Sequence, residues 1–165
     1  MPLIRKYVLP GIAACVAGAV AAQPYQIKAE VEGWTIYHNE ANESCFMETV
    51  TSDGLIMQMG TGGKGVEMGY LALYTEGETD IQDGETGHIQ VELGGLVYGG
   101  EAVGVEKEGY SGGYFIGNNP ILGYDLSTQS SMIVNPNGEH TFTVDLTGAG
   151  AAFEATRACQ AEISG

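Results

Sequence analysis

The residues best suited to chemistry beyond the first 22 positions are three histidines, two cysteines, five methionines and one dense acidic stretch. His38, His88 and His140 form no H-x-x-x-H or H-x-H pair, so their spacing carries no zinc signature. Each lies in a run that reads as a strand flanked by polar residues, and each is expected to be exposed there. No G-x-S-x-G elbow occurs, and Ser127, Ser130 and Ser131 fall in what reads as a helix end and loop. A hydrolase would therefore need a site built from distant strands, since a Ser-His-Asp set can follow any chain order.

Metal chemistry has two sequence candidates. Asp80, Asp83 and Glu85 place carboxylates around Gly84, the hard oxygen donors that calcium takes, but without the alternating acids and closing Glu of an EF-hand loop. The same Asp83-Gly84 pair also makes a turn, and a solvated acidic loop is the default reading. Met57 and Met59, with Met47 and Met68, offer soft thioether sulfur suited to Cu(I). Leu55, Met57 and Met59 nevertheless alternate with Ile56, Gln58 and Gly60, as a core-facing strand does, and Met fills irregular cores well. A calcium or copper module is thus the alternative reading, and no cofactor is expected. The glycine-rich loop at 60–65 lacks the order of a phosphate loop. Asn42-Glu43-Ser44 matches a glycosylation sequon.

Tyrosine is abundant, nine residues against one Trp and four Phe. A phenol joins apolar area to a hydroxyl, which suits recognition of a protein or a glycan, and Tyr70, Tyr98, Tyr110 and Tyr114 are the binding candidates. Strand propensity accounts for the same residues without a ligand.

These side chains belong to an exported chain. Arg5 and Lys6 precede an apolar run from Tyr7 through Ala22, the pattern of a secretory signal over residues 1–22. Cleavage is expected before Gln23, with Ala22 the other frame, and no membrane anchor remains afterwards. The run contains Pro10 and many small residues and is short for a span of about 20 residues. Residues 23–165 then read as a single domain with no linker and no fixed-period repeat. The whole chain of 165 residues carries 6 basic and 21 acidic side chains, a net of −15. Cleavage leaves four basic residues, Lys28, Lys64, Lys107 and Arg157, against all 21 acids, a net of −17. Such a polyanion repels phosphate backbones, so nucleic-acid binding is excluded. Apolar residues make up 44% of the chain, enough to build a core despite 26 glycines. With Cys15 inside the signal, Cys45 and Cys159 remain, and two cysteines in an oxidising compartment most simply form one disulfide.

Period-two alternation dominates the remaining chain. Strands are expected over 31–38, 45–51, 55–60, 66–75, 88–93, 96–105 and 110–116, then a hairpin of 132–134 and 140–146 turning at 135–138. Asn119 with Pro120 opens a short helix to about residue 129, and Thr147-Gly148 opens a second over about 149–161. The fold expected is mainly β, an antiparallel β-sandwich with one short internal helix and a C-terminal helix.

Gly33-Trp34-Thr35-Ile36, Cys45 some ten residues on, and the run from Leu146 to Phe153 leading into Cys159 together form an arrangement with a familiar order. It resembles the small exported β-rich proteins of alphaproteobacteria that are similar to the invasion-associated locus B protein. The resemblance implies a periplasmic or envelope-associated β-sandwich without established catalytic activity, and it supplies no catalytic residues. The function expected is a periplasmic or secreted non-enzymatic protein that binds a protein or cell-envelope component.

Overall fold

The computed structural model describes residues 25–61, 68–77, 79–107 and 109–165. The expected signal, residues 62–65 of the glycine-rich loop and the beginning of the strand expected from residue 66 lie outside the described residues. Ten strands and two helices follow one another: β1 (Tyr25–Val31), β2 (Trp34–Asn39), β3 (Ser44–Val50), β4 (Ile56–Thr61), β5 (Gly69–Glu76), β6 (Thr86–Leu93), β7 (Leu96–Lys107), β8 (Tyr110–Gly117), α1 (Pro120–Thr128), β9 (Ser131–Val134), β10 (Phe142–Asp145) and α2 (Ala149–Ser164).

All the strands pair antiparallel in one ladder, ordered β1-β2-β3-β4-β5-β8-β7-β6-β9-β10. The first five form a meander. The next three form a second meander entered from its far side, so that β8 rather than β6 lies beside β5. The ladder stays open, with β1 and β10 as its edges. Inward residues from both halves nevertheless share one core: Ile36, Met47, Met57 and Leu71 from one half, and Val91, Leu93, Met132, Val134 and Val144 from the other. This is the expected antiparallel β-sandwich with its two helices, made from one continuous sheet rather than two.

The alternation in β4 works as anticipated. Met57 and Met59 are buried on the core side, and Met47 of β3 pairs with Met59 in register. In α2, Ala149, Ala152, Thr156 and Cys159 recur at helical spacing and are all buried, and the helix packs on β1, β2, β3 and α1. Asn119 caps α1, its Oδ1 accepting from the Ile121 N–H at 3.0 Å, with Pro120 in the first turn.

Cys45 and Cys159 are joined in a disulfide with their Cα atoms 6.1 Å apart. Beside it, Gln160 accepts through Oε1 from the Cys45 N–H and the Thr61 hydroxyl, both at 2.9 Å, and its Nε2 donates to the Glu43 carbonyl at 3.2 Å. The bridge and this amide together fasten the end of α2 to the sheet.

Two expectations need correction. The run 31–38 is not one strand: Glu32 and Gly33, at φ 49° and 87°, form a two-residue hairpin turn, with Val31 paired to Trp34 across it. The strand this creates, β1, was not anticipated. The last strand is also shorter than expected, because Thr141 bonds back to the carbonyls of Asn135 and Gly138 and holds residues 135–141 as a compact turn. His140 therefore lies in that turn and not in a strand.

Candidate functional site

The outward face of the sheet carries an aromatic row that cross-strand register assembles from six separate strands. Ile27 pairs with Tyr37, Tyr37 with Phe46, Phe46 with Gly60, Gly60 with Tyr70 and Tyr70 with Ile116. Paired residues point to the same face, so these six side-chain positions form one line across β1, β2, β3, β4, β5 and β8. The Tyr37 and Phe46 rings stack at 5.0 Å and 16°, and Tyr25 meets Phe46 edge-on at 5.4 Å.

The neighbouring row contains Thr35, Glu48, Gln58, Ala72 and Tyr114. Tyr70 and Tyr74 stand on either side of Ala72 along β5, while Gln58 and Tyr114 flank it across the sheet. These four larger side chains close over Ala72, whose methyl is fully buried. The Gln58 Nε2 donates to Glu48 Oε2 at 2.6 Å, which fixes the amide and leaves its Oε1 as an acceptor.

Above this row lies a concavity of about 340 Å³. Tyr70, Tyr74 and Tyr114 form its aromatic walls, Asn39, Asn42 and Gln58 its amide groups, and Met68 and Ile116 an apolar rim. Burial raises the Tyr70 phenol well above its ordinary value, with Tyr74, Tyr25 and Glu48 adding to the shift. Tyr74 is raised in the same way, first by burial and then by Tyr114, Tyr25 and Glu48. Tyr37 is raised by burial and by the carboxylate of Glu48. Among the described residues, the hydroxyls of Tyr70, Tyr74 and Tyr114 have no hydrogen-bond partner.

Of the four sequence candidates, Tyr70 and Tyr114 line this concavity. Tyr98 and Tyr110 lie elsewhere, and their hydroxyls are already engaged: Tyr98 donates to the carboxylate of Asp125 in α1, and Tyr110 to Glu76 at 3.4 Å. Tyr74 and Gln58 were not singled out from the sequence. Their signal was present as the alternation of Gln58 with Met57 and Met59, but only the register of β4, β5 and β8 shows which residues they face.

The other candidates are dispersed or occupied in holding the fold. Asp83 Oδ1 accepts from the Glu106 N–H at 3.4 Å, Glu85 Oε2 accepts from the Gln82 N–H at 3.3 Å, and Asp80 is exposed. Among the described residues no group of three or more His, Cys, Asp or Glu could hold a metal ion. Met47, Met57 and Met59 are core residues, and Met68 is exposed at the rim. His38, His88 and His140 sit on β2, on β6 and in the 135–141 turn, and among the described residues none hydrogen-bonds a carboxylate or hydroxyl.

A second set of hollows lies on the opposite side of the β4–β5 end, between that end and the helices. One of about 230 Å³ is walled by Leu71, Phe115, Leu122, Leu126 and Phe153. Another, of about 840 Å³, runs along α2 past Arg157 and Gln160. Neither gathers a group of titratable side chains. Among the described residues no helix is long and apolar enough to cross a membrane. Comparison with protein-family models, curated proteins and solved structures finds no match.

Proposed function

We propose that this chain is an exported, non-enzymatic binding protein of the periplasm or cell envelope, akin to the invasion-associated locus B group, with the tyrosine-lined concavity as its recognition site. The observation that carries this reading is the set of three tyrosines, Tyr70, Tyr74 and Tyr114, that cross-strand register gathers around one hollow on the sheet. Among the described residues every buried side-chain polar atom has a hydrogen-bond partner, so these three hydroxyls reach solvent and are open to a ligand. The disulfide supports export, because such bridges persist in oxidising compartments. Enzymatic and metal-binding alternatives draw no support from the scattered imidazoles and dispersed acids.

The test is retention of the full chain by separated envelope fractions: outer membrane, peptidoglycan and periplasmic proteins. Wild-type protein and the Tyr98→Phe variant are expected to be retained by the same fraction, while Tyr114→Ala and Gln58→Ala lose at least about tenfold in affinity, 1.4 kcal/mol. Retention that is equal in all four proteins, or absent in the wild type, overturns the proposal.

A further inference from the structure

We infer that the ligand of this concavity is an uncharged saccharide; the inference rests on the recognition site proposed above and names the chemistry that site would take. Three features of the lining point to it.

First, among the described residues no Lys, Arg, Asp, Glu or His side chain lines the hollow. Glu48 lies beside it, but its carboxylate is engaged by the Gln58 amide at 2.6 Å. An anionic ligand would meet no cation among the described lining residues and would approach a chain of net charge −15. A cationic ligand would find no carboxylate among the described lining residues.

Second, the polar groups are carboxamides. The Ser44 hydroxyl donates to Asn42 Oδ1 at 2.6 Å, which leaves the Asn42 NH₂ as a donor, just as the Gln58–Glu48 bond leaves Gln58 Oε1 as an acceptor. A sugar hydroxyl both donates and accepts, so adjoining donors and acceptors of fixed orientation match it. The three phenol hydroxyls add groups of the same dual character.

Third, the walls are aromatic. The C–H faces of a pyranose are apolar and pack on flat rings, while its hydroxyls project sideways to polar groups. Tyr70 and Tyr74 stand four residues apart on β5, roughly 13 Å, and Tyr114 faces the gap between them from β8. A volume of about 340 Å³ is at the small-molecule end of binding-site sizes rather than the flat geometry of a protein interface. The aromatic row continues past Gly60 to Phe46 and Tyr37, which gives an extended chain of sugars a track across the sheet.

The experiment is titration calorimetry of the full chain with maltohexaose, cellohexaose and chitohexaose, with alginate as an anionic control. It is paired with periodate oxidation of the retaining envelope fraction, which destroys vicinal diols. At least one neutral hexasaccharide is expected to bind, with affinity falling about tenfold or more in Tyr114→Ala and Gln58→Ala but not in Tyr98→Phe. Alginate is expected not to bind. If the three probes fail but periodate abolishes Tyr114-dependent retention, the ligand is a saccharide of another linkage, and the inference stands. Retention that depends on Tyr114 yet survives periodate, with all three probes silent, overturns the saccharide while leaving the recognition site in place. Binding of a hexasaccharide that is unaffected by both variants, or equal binding of alginate, also overturns it. Circular dichroism of each variant separates loss of the site from loss of the fold, and the conservative Tyr114→Phe is expected to retain part of the affinity through its ring.

Discussion

The indole N–H of Trp34 donates to the carbonyl oxygen of Thr147 at 3.0 Å, a bond between residues 113 positions apart. Trp34 opens β2 immediately after the Glu32-Gly33 turn, and Thr147 stands just before α2. The same junction requires Gly148: its φ is 81°, and a Cβ there would lie 2.4 Å from the Glu32 carbonyl oxygen. The first hairpin and the start of the last helix thus form one packed corner. Trp34 is 2% exposed, so Trp34→Phe removes the bond to Thr147 and leaves a gap where the indole was. The expected loss is roughly 2–4 kcal/mol in urea unfolding followed by far-ultraviolet dichroism. A loss within the scatter of surface substitutions, about 0.5 kcal/mol, would show that the corner contributes little.

The bridge between Cys45 and Cys159 closes a loop of 114 residues. Its removal by Cys45→Ala with Cys159→Ala is expected to cost roughly 2–5 kcal/mol, the entropy of that loop in the unfolded chain being the main contribution. The comparison is the urea midpoint of the double variant against that of the oxidised wild type. Coincident midpoints would assign the fastening of α2 to Gln160 and its three hydrogen bonds instead.

Alkaline pH offers a separate test of the aromatic face. Tyr70, Tyr74 and Tyr37 have folded-state values raised above 10.0, chiefly by burial. Tyr98 is raised too, by its bond to Asp125. A raised value means that the native state holds its proton more tightly than the unfolded chain. The stabilisation is therefore complete below about pH 10 and is lost as pH climbs through the folded values. Absorbance at 295 nm should show Tyr37, Tyr70, Tyr74 and Tyr98 ionising only as the native dichroism collapses. Simultaneous ionisation of all of them in a still-folded protein would contradict the burial of this face.

Much of the architecture was legible from local pattern. The alternation of Leu55, Met57 and Met59 predicted the buried face of β4, Asn119-Pro120 predicted the start of α1, and the two cysteines left after an expected signal predicted their bridge. The Glu32-Gly33 turn was not legible because Glu rarely takes a positive φ, whereas the usual hairpin signals are Asn-Gly and Asp-Gly. His140 read as a strand residue because the hydrogen bonds of Thr141 that hold its turn leave no mark on hydropathy. Strand order was hidden for a different reason. Placing β8 beside β5 is a long-range choice, and the neighbours of Tyr74, Gln58 and Ala72 exist only once that choice is made. The candidate site was therefore visible as a surplus of tyrosine but not as a place.

Helix α2 supplies the cover for β1, β2 and β3, the earliest strands of the chain, and it consists of nearly the last residues. No growing chain can complete that core until residue 159 has emerged, so folding from the N-terminus onward is blocked by the connectivity itself. The same arrangement makes length a condition of survival, because a product truncated before Ala149 keeps Trp34, Ile36 and Met47 uncovered and within reach of proteases.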